Sequence, residues 1–270
     1  PDVDFEGGFS IRGDNFIGFG NSQQPGSIIL KRDQKSFLRV ISKNFSMNSN
    51  AIISAFAAVR IYLDNDSIYH PAVKFTYLLN QKKASIFRGD DGLQKSPFQN
   101  TFHKLAMYVE QIEWNKHSDT LAFNFLTRKT ETEAFFESSD FFSKERSEYL
   151  KFGEQVSPII QLHKLYLQLN KSELITMNAL SRQMLSLPQD LRPLLIKLAI
   201  SSLIDYNVDT DEIRIKQKLL DIVEVLNKKR DWDNITIHSV APGMDNARMD
   251  LKSRDLSIVG VKFLVLSDTQ

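Results

Sequence analysis

The side chains with the most to offer chemically are four bases in the C-terminal half, Arg182, Arg192, Lys197 and Lys216. Three of them fall in SLPQDLRPLLIKLAISSLIDYNVDTDEIRIK, residues 186–216. There an apolar helix runs out at Leu203 and Ile204, Asp205, Tyr206 and Asn207 turn the chain, and an acidic tip leads into a strand over 212–216. That is the rhythm of the recognition helix and wing of a winged helix-turn-helix. Such a motif would set bases against DNA phosphates and aim polar side chains at base edges. The same stretch argues against that chemistry. Leu191, Leu194, Leu195, Ile196, Leu198, Ala199, Ile200, Leu203 and Ile204 cover most of the helix, and a helix apolar nearly all round is buried or covered by a partner. Asp190 sits where bases would be read, and Asp205, Asp209, Asp211 and Glu212 place four carboxylates at the wing. Nucleic acid is therefore disfavoured as a partner for want of an electrostatic footprint.

Other groupings carry weaker chemistry. Arg–Gly–Asp occurs twice, at Arg12, Gly13 and Asp14 and at Arg88, Gly89 and Asp90. On an exposed loop this tripeptide can be gripped by a receptor, but Gly–Asp also simply makes turns, and turns are the reading favoured here. Asp64–Asn65–Asp66 and Asp209–Thr210–Asp211 open like calcium loops. The later ligand positions fail, since counting on gives Ile68, Tyr69 and Phe75, or Ile213, Arg214 and Leu220. His70, His103, His117, His163 and His238 show no metal-ligand spacing. A glycosidase would need two facing carboxyls. Asp90 and Asp91 with Glu110 or Glu113 are the only candidates, and turn chemistry accounts for the aspartates better. Tyr62, Tyr69, Tyr77, Tyr108 and Trp114 could line a sugar-binding face, although cross-strand pairing inside a sheet is the commoner cause. No phosphate loop or nucleophile elbow is present, so no cofactor and no enzymatic activity are expected.

These residues must be held by two kinds of structure. Residues 1–150 read as β scaffold. Val59, Ile61 and Leu63 alternate with Arg60 and Tyr62; Val73, Phe75, Tyr77 and Leu79 with Lys74 and Thr76; Leu121, Phe123 and Phe125 with Ala122 and Asn124. Asp64–Asp66, Arg88–Gly92 and Asn115–Asp119 are the turns. YLDNDSIYHPAVKFTYL and EWNKHSDTLAFNFL both run strand, turn, strand, a faint repeat that suits a solenoid- or sandwich-like form. Aromatics crowd residues 131–158, where Phe135, Phe136, Phe141, Phe142 and Tyr149 read as rings packed between domains. Residues 151–230 read as a helical module. Ile159, Leu162, Leu165, Tyr166 and Leu169 share one stripe, Thr176 caps a second helix, and Ser186 and Pro188 start a third. Residues 231–270 return to strands, with Gly260 breaking an apolar run. The expected class is thus α+β, a β-rich scaffold with an inserted winged-helix-like module.

Composition narrows function without naming it. The 34 basic and 33 acidic residues leave a formal net charge of +1, which removes the basic excess of a general nucleic-acid coat. The absence of cysteine rules out disulfides and thiolate chemistry within this chain. No apolar run approaches the roughly 18 residues of a membrane helix. The chain begins PDVDFEGG, without Met or a signal peptide, and reads as a piece of something longer.

Three segments together, GGFSIRGDNFIGFG, IYLDNDSIYHPAVKFTYLL, and LIDYNVDTDEIRIK with VKFLVLSDTQ, resemble an internal region of the very large, uncharacterised cell-envelope proteins of Bacteroidota. The likeness covers most of the chain and rests on structural turns, not on chemical signatures. It implies an exported, periplasmic or surface structural role, with protein partners from the parent chain or the envelope. A winged-helix regulator would instead be cytoplasmic, and a carbohydrate-active β module is the second alternative.

Overall fold

Period-two alternation builds most of the chain. The computed structural model describes residues 2–13, 15–21, 24–126, 133–139, 157–229 and 235–266. It is β-rich, with 49% strand against 20% helix, and its main sheet is antiparallel and nearly closed. The chain divides into two compact units, Pro1–Phe136 with Ile237–Leu264, and Glu137–Thr236 with Val265–Gln270.

The first unit opens as a meander of long lines. β1 (Val3–Glu6) runs on into β2 (Gly8–Arg12), and β3 (Asn15–Phe19) continues, after a loop, into β4 (Gly26–Arg32). Gly20 and Gly26 approach so closely that a Cβ on Gly20 would lie 2.2 Å from the Gly26 nitrogen. β5 (Lys35–Ser42) and β6 (Asn44–Met47) form the next line, followed by β7 (Ala51–Leu63) and β8 (Asp66–Leu78). β1 pairs with β4 and β2 with β3; β4 then pairs with β5 and β3 with β6, and both β5 and β6 lie against β7.

Beyond β8 the sheet divides. The C-terminal half of β8 pairs with β9 (Lys83–Phe87), and its N-terminal half with β10 (Phe98–Asn100). One branch continues from β10 to β11 (Leu105–Tyr108) and β14 (Ala134–Ser138). The other passes from β9 to β12 (Gln111–Asn115), β13 (Thr120–Asn124), β19 (Ala247–Asp250) and β20 (Leu256–Ile258). β18 (Ile235–Ser239) pairs with β21 (Val261–Leu266).

Side-chain alternation matches the sequence. Val59, Ile61, Leu63, Val73, Phe75, Leu121 and Phe123 are buried, and Arg60 and Lys74 are exposed. Asp64–Asn65 makes a two-residue turn, with Asp64 at φ 59°, while Asp66 already belongs to β8. Two register shifts interrupt the β7–β8 pairing, with the extra residue on β7 between Ser54 and Ala57 and on β8 between His70 and Val73, and bulges bend a sheet and sharpen its twist. The two similar segments are the hairpins β7–β8 and β12–β13. They belong to one nearly closed antiparallel sheet, which is not the stacked coils of a solenoid. Phe136 is core of this unit and Phe135 stacks on Tyr108. Phe141, Phe142 and Tyr149 lie outside the described residues.

Among the described residues the second unit has four α-helices: α1 (Pro158–Gln168), α2 (Met177–Met184), α3 (Pro188–Ile200) and α4 (Gln217–Leu226). β15 (Leu174–Thr176), β16 (Ile204–Asn207) and β17 (Glu212–Ile215) form a separate antiparallel sheet in the order β15–β17–β16. Ile159, Leu162 and Leu165 bury the α1 stripe, while Leu169 is exposed. Thr176 caps α2 as expected, its hydroxyl accepting from the Ala179 N–H at 3.3 Å. α3 differs at both ends from the sequence reading. It starts at Pro188 without a side-chain cap, and it stops at Ile200 because Ser202 turns left-handed (φ 63°) and the Leu203 N–H reaches back to the Leu198 carbonyl. Asp205, Tyr206 and Asn207 therefore lie in a strand, and the turn falls at 208–211. A buried ion pair, Lys218 to Glu137 at 3.0 Å, also lies within this unit. Both side chains are almost fully buried.

Gly260 is fixed by backbone. It has φ 64°, its carbonyl accepts from the Val240 N–H at 2.9 Å, and a Cβ there would lie 2.1 Å from the Val240 oxygen. Gly260→Ala should therefore lower stability by about 1–3 kcal/mol from the left-handed conformation alone, read as an earlier urea midpoint; an unchanged midpoint would show that the glycine is dispensable.

Candidate functional site

Three of the four candidate bases, Arg192, Lys197 and Lys216, lie on α3 or beside the β16–β17 hairpin, and Arg182 lies on α2. The hairpin forms because Ile204 and Tyr206 on one strand, and Ile213 and Ile215 on the other, turn inward, while Asp205, Asn207, Glu212 and Arg214 alternate outward. α3 buries Leu191, Leu195, Leu198 and Ala199 beneath it. Gln189, Asp190, Arg192 and Pro193 are exposed in its first turns, so the helix carries a polar strip there and is not apolar all round.

Arg192 does not project freely. Its Nη2 lies 2.8 Å from Asp211 Oδ2 and its Nε 3.4 Å from Oδ1, and the Tyr206 hydroxyl donates to Oδ1 at 2.7 Å. Asp211 is itself held by backbone, at φ 54°, with its carbonyl accepting from the Met177 N–H. The guanidinium beside Asp211 lowers that carboxyl below the ordinary aspartate range, and the carboxylate in turn raises Arg192. Burial, reinforced by the hydrogen bond and charge of Asp211, pushes the Tyr206 phenol up to about 12. Lys216 is paired as well, Nζ to Asp205 Oδ1 at 2.7 Å. Arg182 is exposed and donates to the Asn178 carbonyl. Lys197 is half-buried, and five residues along a helix put it about 140° around the axis from Arg192. Arg192 and Lys216 are thus each opposed by a neighbouring carboxylate, and Arg192 and Lys197 do not share a face of α3. At the tip, Asn207 Oδ1 accepts from the Asp209 and Thr210 N–H groups, which is turn chemistry.

The remaining candidates are dispersed. Arg12 and Gly13 are exposed at the end of β2, and Asp14 lies outside the described residues. In the second tripeptide, Arg88 donates to the Lys95 carbonyl and lies over the Tyr108 ring, with burial lowering its pKa, so only Asp90 is exposed and Gly89 is packed against Gln94. Of the proposed acid pairs, Glu113 is bound by Lys83 at 2.7 Å and by Gln111, and Glu110 accepts from the Leu126 N–H. Tyr77 and Trp114 are core residues, so the five aromatics form no common outer face. His70 is fully buried, bonded to the Ser96 carbonyl and the Ala72 N–H, and among the described residues no cluster of three His, Asp or Glu could hold a metal.

Two arrangements were not foreseen from sequence. Tyr108, Phe135, His238 and Phe263 form a continuous row of rings, with Glu133 bonded to His238 at 2.8 Å. The inner members are nearly parallel, so their faces are covered by one another and unavailable to a ligand. Asp2 is held by Lys82 and Lys116, and Asp119 by Arg32 and Lys252, which keeps both carboxyls below their usual range. Both arrangements join segments far apart in the chain, and no local spacing announces them. No known protein family, curated protein or solved structure matches this chain.

The Tyr206 shift has a defined sign. Its folded-state pKa is raised above the ordinary 10, so the stabilisation is complete below pH 10 and is lost as pH rises through about 12. Phenolate absorbance after an alkaline jump should show a late-ionising component that Tyr206→Phe diminishes and Asp211→Asn brings to lower pH; a Tyr206 component that Asp211→Asn leaves unmoved would mean the contact does not form.

Proposed function

We propose that this chain is a non-enzymatic structural and interaction segment, in which a β scaffold carries a winged-helix-like module used for protein contact. The order of the helical unit supports the module: helix, strand, helix, helix and hairpin, with the first strand completing a small sheet. The observation that carries the choice of partner is the pairing of Arg192 with Asp211 and of Lys216 with Asp205. Phosphate binding needs cations able to replace counterions, and these two already have carboxylates. The fold pattern alone favours the alternative of a nucleic-acid-binding regulator, but a fold does not fix a function. Placement in the envelope, within a larger parent protein, rests on the Bacteroidota resemblance. No helix among the described residues is long and apolar enough to cross a membrane.

A gel shift with random duplex DNA at graded salt separates the readings. The chain should show no salt-sensitive retention, and the double variant Asp205→Asn/Asp211→Asn, which releases Lys216 and Arg192, should gain a weak one. Strong retention of the unaltered chain that falls steeply with salt would establish the regulator instead.

A further inference from the structure

The sheet's inner apolar face does not stop where its cover stops. Across the strands, one row runs from Ile52 (5% exposed) through Met47 to Phe16 (46%) and Ile11 (61%). The next runs from Phe45 (1%) through Gly18 to Phe9 (63%). Core-type residues thus extend two strands beyond the buried region and end on β2. All five residues of β2 are exposed, and among the described residues it pairs only with β3, leaving one edge of backbone donors and acceptors open. An open, flat, apolar edge is a template for another strand.

We propose that β2 is a self-association edge that pairs antiparallel with β2 of a second copy of this chain. The sequence of the edge selects that occupant. Residues directly opposite in an antiparallel pair share a face, so the inner residues Phe9 and Ile11 must meet inner residues. A two-fold axis at Ser10 does this, setting Phe9 across from Ile11 of the other copy and Arg12 across from the side-chain-free Gly8. The outer face then gains charge complementarity. Glu6 and Arg12 are both exposed and have no ion-pair partner among the described residues, and this register makes them diagonal neighbours twice, once on each side of the axis. The edge is short, so the dimer dissociates on dilution. The inference deepens the scaffold reading, and its test involves neither DNA nor the helical unit.

The cysteine-free chain makes the test clean. At the axis, Ser10→Cys places two thiols on directly opposed residues, about 4.5–5.5 Å apart at Cα, within the disulfide range of about 4.4–6.8 Å. Arg12→Cys puts them about 13 Å apart along the strand. Mild oxidation of the 270-residue chain should cross-link the Ser10→Cys protein at least tenfold faster than the Arg12→Cys protein. Adding Ile11→Lys to Ser10→Cys should abolish cross-linking. Adding Arg12→Glu should slow it, and adding Glu6→Arg as well should restore it. Equal rates from the two cysteine positions, or no rescue by the charge exchange, would overturn the proposal.

Discussion

Asp211 decides what the α3 surface can do. A guanidinium aligned on one carboxylate at 2.8 and 3.4 Å, with a phenol donating to the same group, is a closed set of hydrogen bonds. The geometry follows from backbone: a left-handed Asp211 at the end of the hairpin turn, tied through its carbonyl to the start of α2. Exposed ion pairs contribute little stability, typically about 0–1 kcal/mol. A cation already opposed by a carboxylate presents a dipole, not a charge, to an incoming polyanion.

The scaffold rests on a different constraint. Its long lines alternate inward and outward over many residues, and a one-residue slip would turn Val59, Ile61 and Leu63 to the solvent side. One bulge on β7 and one on β8 let that register bend without breaking. The same alternation, continued onto β2, leaves exposed apolar side chains and, among the described residues, an unpaired strand edge in one place.

Much of the scaffold was legible because alternation is local. The facing sets on β7, β8 and β13, the Asp64–Asn65 turn and the Thr176 cap can all be read within a few residues. The wing was misread for a reason visible afterwards. Ile204, Asp205, Tyr206 and Asn207 also alternate, but three polar-looking residues after an apolar run suggested a turn, and nothing in the composition marks Ser202 as the left-handed stop. The sequence marks Arg182, Arg192, Lys197 and Lys216 as the bases a nucleic acid would need, and the wing carboxylates as groups that would repel a phosphate backbone. Their actual partners were hidden, because the Arg192–Asp211 and Lys216–Asp205 contacts depend on hairpin register. Arg88 was read as a turn residue since Tyr108 and Lys95 reach it only through tertiary packing. The ring row from Tyr108 to Phe263 was invisible for the same reason.

Carboxyl titration of Asp211 by carbon NMR, in the unaltered chain and in Arg192→Ala, tests the central claim most directly. The account predicts a value below the ordinary 3.8 that rises when Arg192 is removed, with the associated stability present above pH 3.8 and fading as pH falls through the lowered value. An Asp211 that titrates at 3.8 or higher and ignores the loss of Arg192 would mean that the guanidinium is free to meet a phosphate.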